Sequence, residues 1–240
     1  HLDSVFSAEY SVDGEFMVTA SADGTARLWD MKKGTEVATL SGHEDGVNSA
    51  SFSHDGTKIV TASGDRTARI WNVDSDPLVR IISNEQDKLR NAVLRDDNKI
   101  AVTTSIGNTA NVWDVATGAL ITEFTGHSKM IVSVAFSNNG KRIVTASLDG
   151  TARVWDAATG AQMAVLTGFQ LRHHSVAFTS DDQGVVAGTY NNIVQIWDAQ
   201  SGRLIGDVVD LYKNGYFTPA FNADFSQTAL TSNEGDLQVF

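Results

Sequence analysis

The chain has 240 residues, room for one large domain or two small ones, and its 42% hydrophobic and 20% charged residues are a globular rather than a disordered composition. Eighteen Lys and Arg against 29 Asp and Glu leave a net charge of −11, which argues against general affinity for nucleic acid or anionic membrane, since both need clustered positive charge. The absence of cysteine excludes disulfides, thiolate nucleophiles and Cys-ligated zinc, and with no apolar run near the ~18 residues of a membrane span the expectation is a soluble, cytoplasmic protein.

Taken in order, the predicted elements are variants of one unit. Trp29, Trp71, Trp113, Trp155 and Trp197 each stand 42 residues after the one before, and self-similarity at a fixed period marks a repeat architecture. The repeats run approximately 1–42, 43–84, 85–126, 127–168, 169–210 and 211–240. The stretch Ala20 to Asp30 returns nearly unchanged at Thr61 to Asn72 and at Thr145 to Asp156. A decayed copy, Ser232 to Phe240, closes the sequence with Phe240 in the tryptophan place, 43 residues after Trp197. The fourth repeat shows the pattern most plainly. Val134 to Phe136 reads as a strand, Ser137 to Gly140 as a turn, and Lys141 to Ser147 as a second strand. Leu148 to Gly150 is another turn, Thr151 to Trp155 a third strand, and Ala161 to Leu166 a fourth. Asp-Gly and Asn-Gly between short β-rich runs are hairpin signals, because these residues tolerate the positive φ of tight turns. Outer strands are predicted near Thr35–Leu40, Leu78–Ile82, Ala119–Phe124, Ala161–Leu166 and Arg203–Val208. No segment keeps a helical apolar period over ten residues, so the reading is all-β.

Gly42-His43 and Gly126-His127 opening repeats, Trp-Asp closing four of them and the 42-residue period together resemble the WD-repeat family over essentially the whole chain. The resemblance implies a β-propeller of four-stranded antiparallel blades, six repeats being visible and the last lacking its outer strand. The chain begins at the Gly-His histidine and stops after a third strand, so it is expected to belong to a longer protein that supplies at least one outer strand, a seven-bladed or larger propeller staying open. The family's structural tetrad maps to His1, Thr19, Asp23 and Trp29, to His43, Thr61, Asp65 and Trp71, and to His127, Thr145, Asp149 and Trp155. Such a set forms a chain of hydrogen bonds inside a blade. The third repeat departs with Glu85 and Gly107, the fifth with Phe169 and Asn191, the sixth with Leu230 and Glu234. Their blades are expected to be less rigid or held by apolar packing. The family's Pro-Asp-Gly turn also lacks its proline here, as in Val12-Asp13-Gly14 and Asn138-Asn139-Gly140.

Enzymatic chemistry is not legible. Ser53, His54 and Asp55 are consecutive turn residues and cannot converge as a triad. His173 and His174 are strand neighbours that point to opposite faces and cannot chelate one metal. No phosphate loop, calcium loop or glycosylation sequon is present. The tetrad histidines recur in blade after blade, whereas an active site is needed once. No cofactor and no metal are expected.

Function then falls to a face of the blades. In the family, partner contacts concentrate three and five residues after the Gly-His histidine and at the residue before the tetrad aspartate. In repeats one and two these are mostly small or polar residues: Ser4, Phe6 and Ala22, then Gly46, Asn48 and Gly64. Later repeats offer Lys88, Arg90 and Ile106, then Met130, Val132 and Leu148, then Arg172, His174 and Tyr190, and in the sixth Gly215, Phe217 and Asn233. An apolar centre of Met130, Val132, Leu148 and Tyr190 bordered by Lys88, Arg90, Arg172 and His174 is the expected patch. It suits a protein or peptide with acidic groups around an apolar anchor. The expected function is a non-enzymatic interaction or scaffold module, serving as the sensor or regulatory part of a multidomain protein. The alternative is a propeller enzyme of hydrolase or lyase type with a site at the channel mouth.

Overall fold

The computed structural model describes residues 1–74, 78–82, 87–168, 176–188 and 193–210, with short strands at 220–221, 228–231 and 237–239. Every regular element among them is a strand. They form two compact units, residues 1–126 and 127–240.

The first unit holds three four-stranded sheets. The first is β1 (Val5–Tyr10), β2 (Phe16–Ser21), β3 (Ala26–Asp30) and β4 (Thr35–Leu40). The second is β5 (Val47–Phe52), β6 (Lys58–Ser63), β7 (Ala68–Asn72) and β8 (Leu78–Ile82). The third is β9 (Leu89–Leu94), β10 (Ile100–Ser105), β11 (Ala110–Asp114) and β12 (Leu120–Phe124). In the second unit follow β13 (Ile131–Phe136), β14 (Arg142–Ser147), β15 (Thr151–Asp156) and β16 (Gln162–Thr167), then β17 (Val176–Phe178), β18 (Gly184–Gly188), β19 (Ile193–Asp198) and β20 (Leu204–Asp210). A three-stranded sheet of β21 (Ala220–Phe221), β22 (Thr228–Thr231) and β23 (Leu237–Val239) ends the chain. Strands run antiparallel and in chain order across every sheet, so each blade is a meander and the last has no fourth strand among the described residues.

Within each unit the blades are held by burying one sheet on another. Val18, Ala20, Ala26, Leu28 and Leu40 of the first blade pack against Val47, Ala50, Phe52, Ile59 and Trp71 of the second. The same arrangement joins the second blade to the third through Val60, Ile70, Leu89 and Trp113, and the fourth to the fifth through Val144, Val154, Phe178 and Trp197. A strand covered on both faces loses hydrophobic alternation; in β6, Ile59 to Ser63 are all fully buried. Polar stitching adds to the packing. Ser7 Oγ accepts the Ala50 N–H at 3.2 Å, Ser49 Oγ the Ala92 N–H at 3.3 Å and Ser133 Oγ the Val176 N–H at 3.1 Å. In each case the donor lies 43 residues on, in the inner strand of the following blade.

The first turn of the first five blades is closed by side chains rather than proline. Ser11 Oγ donates to Asp13 Oδ1 at 2.6 Å and accepts the Phe16 N–H at 2.9 Å, while Gly14 N–H donates to the Ser11 carbonyl at 2.8 Å. Ser53 and Asp55 make the same 2.6 Å bond, so the Ser-His-Asp string is a turn. Gly14 sits at φ 70°, where glycine avoids the steric cost of a side chain; Asn98 and Asp182 hold the equivalent position at φ 58° and 59°. The proline missing from these turns costs on the order of 0.4–1 kcal/mol per site through the unfolded chain.

Two bulges recur. The inner strand gains an unpaired residue at Phe6, Asn48, Arg90 and Val132. Each outer strand gains one opposite its tryptophan, at Val37, Val79, Ile121, Met163 and Ile205.

Candidate functional site

Three blades carry the same polar clasp. In the second, His43 Nδ1 lies 2.8 Å from Asp65 Oδ2, its Nε2 2.7 Å from Thr61 Oγ1, and the Trp71 indole N–H donates to that hydroxyl at 3.0 Å. In the first, His1, Asp23, Thr19 and Trp29 give 3.0, 2.7 and 2.9 Å. In the fourth, His127, Asp149, Thr145 and Trp155 give 2.9, 2.8 and 2.8 Å. The indole can only donate, so the threonine hydroxyl accepts from it. With the hydroxyl proton turned to Nε2, Nδ1–H donates to the carboxylate and the imidazole is neutral.

The electrostatics agree. Burial pushes the His43 and His127 pKa below the ordinary 6.5, against the opposing pull of Asp65 and Asp149. For Asp65 and Asp149 burial acts upward, yet the Thr67 and Thr151 hydroxyls, the histidines and backbone N–H groups outweigh it and hold both carboxyls down at about 2. A histidine bonded to a buried carboxylate and a threonine inside each of three blades is a brace whose polar groups are occupied by one another.

A fifth and a sixth member escaped the sequence reading. Thr67 Oγ1 donates to Asp65 Oδ1 at 2.7 Å, and the Ser63 hydroxyl accepts the Asp65 N–H at 3.1 Å while donating to the Asp45 carbonyl at 3.0 Å. Thr25 with Ser21 and Thr151 with Ser147 repeat the pattern. The signal was present as Ser-x-Asp-x-Thr at the 42-residue period. In the departing repeats the clasp is cut back. Gly107 stands in the aspartate place of the third blade, yet Trp113 N–H still donates to Thr103 Oγ1 at 2.8 Å. In the fifth, Ala187 replaces the threonine and the Trp197 N–H goes to the Thr167 carbonyl at 3.2 Å. Glu85, Phe169, Asn191 and Glu234 lie outside the described residues, as does the side chain of Leu230.

In the first four blades the mapped face residues meet at one end of the blade. Leu148 N–H donates to the Met130 carbonyl at 3.0 Å, as Ala22 does to Ser4, Gly64 to Gly46 and Ile106 to Lys88. In these four blades the remaining mapped residue, five after the histidine place (Phe6, Asn48, Arg90 or Val132), is the inner-strand bulge, a device that re-aims a side chain. Met130, Val132 and Leu148 are half-buried, and Val132 packs on the core below. Arg90 is half-buried and Ile106 exposed. Lys88 Nζ is paired with Asp45 Oδ2 at 2.7 Å. Its charge is thus already partnered, in an exposed ion pair of the kind worth about 0–1 kcal/mol. The second blade offers a small residue at Gly46 for a packing reason. A Cβ on Gly46 would stand 3.2 Å from the Ala22 Cα, a backbone atom, whereas at Gly64 it would meet only the exposed Asp45 side chain. Arg172, His174, Tyr190 and Phe217 lie outside the described residues. Among the described residues no group of three or more His, Asp or Glu is gathered to hold a metal ion.

Four-stranded antiparallel blades repeating at 42 residues and packed sheet on sheet define a β-propeller fold. The family model "WD domain, G-beta repeat" matches residues 1–30, 34–72, 118–156 and 164–198, more than half of the chain, and the chain belongs to that WD-repeat family. A component of chromatin assembly factor 1 from Gallus gallus is 41% identical to it over 44 residues, 18% of this chain and 8% of that protein. The match thus spans one repeat's length and under a tenth of the relative. No helix among the described residues is long and apolar enough to cross a membrane.

Proposed function

We propose that this protein is a non-enzymatic interaction scaffold that docks a protein or peptide on the end of the blades where the inner-strand bulges lie. The observation that carries the reading is the recurrence of that bulge at Phe6, Asn48, Arg90 and Val132. The fold keeps one geometry at this position while the sequence varies the side chain from aromatic to amide, cation and aliphatic, as a surface tuned for recognition requires. Membership of a family of interaction scaffolds supports the same reading. The chicken relative's name speaks of chromatin assembly; a match of one repeat's length carries the blade pattern and leaves the partner open.

The partner we propose inserts an apolar anchor against Met130, Val132 and Leu148, with Arg172, His174, Tyr190 and Phe217 as further candidates; in the other unit, Arg90 at the same end of its own blade is the candidate for acidic groups. Lys88 contributes less, because Asp45 already holds it. The test is capture from native lysate with the wild-type protein, an Arg90→Ala/Met130→Ala variant and an outer-strand variant, Val79→Ala. Loss of a captured protein with the first variant and retention with the second is the expected result; the reverse places the interaction on the blade rim.

A further inference from the structure

The turn between β13 and β14 contains Asn139-Gly140, the dipeptide in which a side-chain amide is most open to attack by the following backbone nitrogen. We infer that Asn139 is a site of spontaneous deamidation, and that the product loosens the junction between the fourth and fifth blades by setting a second carboxylate against Asp182.

The chemistry is redox-neutral. The Gly140 nitrogen attacks Asn139 Cγ, a new N–C bond forms, the bond from Cγ to Nδ2 breaks, and ammonia leaves with the Gly140 proton. Water then opens the cyclic imide at either carbonyl, giving Asp or isoaspartate. The exposed Asn139 is set up for the first step. Its Oδ1 accepts from Ser137 Oγ at 3.0 Å and from the Lys141 N–H at 2.9 Å, donors that stabilise the charge developing on that oxygen. Gly140 offers no side chain to hinder ring closure. Its N–H is held by the Ser137 carbonyl at 2.8 Å, so the reaction proceeds when the turn opens and is slower than in an unfolded segment.

The consequence follows from the neighbouring blade. Asp182 is 6% exposed. Its Oδ1 accepts the Asn138 N–H at 2.7 Å and the Asn138 side-chain amide at 2.9 Å, and its Oδ2 accepts the Asn139 N–H at 3.0 Å. The junction of the second and third blades has the same design with the charges exchanged: Asn98 Nδ2 donates to Asp55 Oδ2 at 2.7 Å. Along the sequence, the residue 43 positions after Asp13, Asp55 and Asp97 is Gly56, Asn98 and Gly140, never an acid. The position 43 residues after Asn139 is Asp182, whose Oδ2 accepts the Asn139 N–H, and only in this blade is the corresponding turn residue an amide. The turn itself accepts a carboxylate, since Asp13, Asp55 and Asp181 make the same bonds in their own blades. The conflict is with the Asp182 carboxylate, where like charges meet at a buried group; Arg142, which donates to the Asp182 carbonyl, offsets it only in part. Isoaspartate adds a backbone atom and breaks the turn as well.

The experiment ages the purified full chain at mildly alkaline pH and maps Asn139 and Asn214, the chain's other Asn-Gly, by peptide mass and isoaspartate content. Conversion at Asn139 is expected. Asn139→Asp is expected to melt about 2–4 °C below wild type, and Asn139→Asp combined with Asp182→Asn, which reproduces the Asp55–Asn98 pairing, to regain most of the loss. If Asn139→Asp does not accumulate folded, hydrogen exchange on partly aged wild type serves instead, with faster exchange at residues 137–142 in the converted fraction expected. Asn139 remaining an amide while Asn214 converts would overturn the inference. So would an unchanged melting temperature or exchange, or a double variant no better than the single one.

Discussion

Thr61 shows how much one hydroxyl carries: it accepts from Trp71 and is within 2.7 Å of the His43 ring nitrogen it serves. Remove the far end of such a chain and buried donors are stranded, at about 1–3 kcal/mol. Asp65→Ala and Asp149→Ala are therefore expected to lower the melting temperature clearly, and Asn191→Ala, at the aspartate position of the fifth repeat, much less; thermal melts of the three variants decide it. The clasps also set an acid response. His43 and His127 are disfavoured as cations in the folded state, so stability falls as pH drops below about 6.5, where the unfolded chain binds protons the folded one refuses. Asp65 and Asp149, held at about 2 against an ordinary 3.8, contribute stability fully present above about pH 4 and lost as pH falls toward 2. Denaturant midpoints from pH 7 to 3 are expected to decline in two stages, and Asp65→Ala to flatten the lower one. The geometry of these residues could be anticipated from sequence because each clasp is local to one repeat. Lys88 could not be read in the same way: its partner Asp45 lies 43 residues away in the preceding blade.

Among the elements, the outer strands were legible to within two residues, whereas the inner strands were not. The fourth repeat reads as a strand from Val134, yet β13 begins at Ile131. The bulge at Val132 breaks the two-residue alternation that marks a strand in sequence. The outer-strand bulge is equally silent, since the 42-residue period keeps its count in every blade. Its physical role is at the edge. An outer strand exposes unpaired backbone groups, and a bulge twists that edge away from a second sheet. The bulged residue is apolar in all five blades and 41% to 59% exposed, so a flat edge at this place would be a sticky one. Deleting Val79, which restores regular pairing between β7 and β8, is expected to raise aggregation in light scattering at unchanged secondary structure. Scattering equal to wild type would mean the bulge protects nothing.

At the scale of the molecule, repeat number, blade architecture and the decayed last copy were written in the tryptophan spacing. The face was written only by analogy, and the pairing of Lys88 with Asp45 was not legible because pairing between blades has no sequence signature. The recognition we propose is centred on the end of the blade where Met130 and Leu148 share a backbone hydrogen bond beside the Val132 bulge. Apolar anchors at an interface centre govern dissociation, and rim charges govern association. The most direct test is the binding kinetics of a captured partner at two salt concentrations. Met130→Ala is expected to weaken it by at least about 1 kcal/mol through a faster off-rate. Arg90→Ala is expected to slow association chiefly at low salt, and Lys88→Ala to do so less. A partner that binds all three variants like wild type, and responds instead to Val79→Ala, would contradict recognition at this end of the blades.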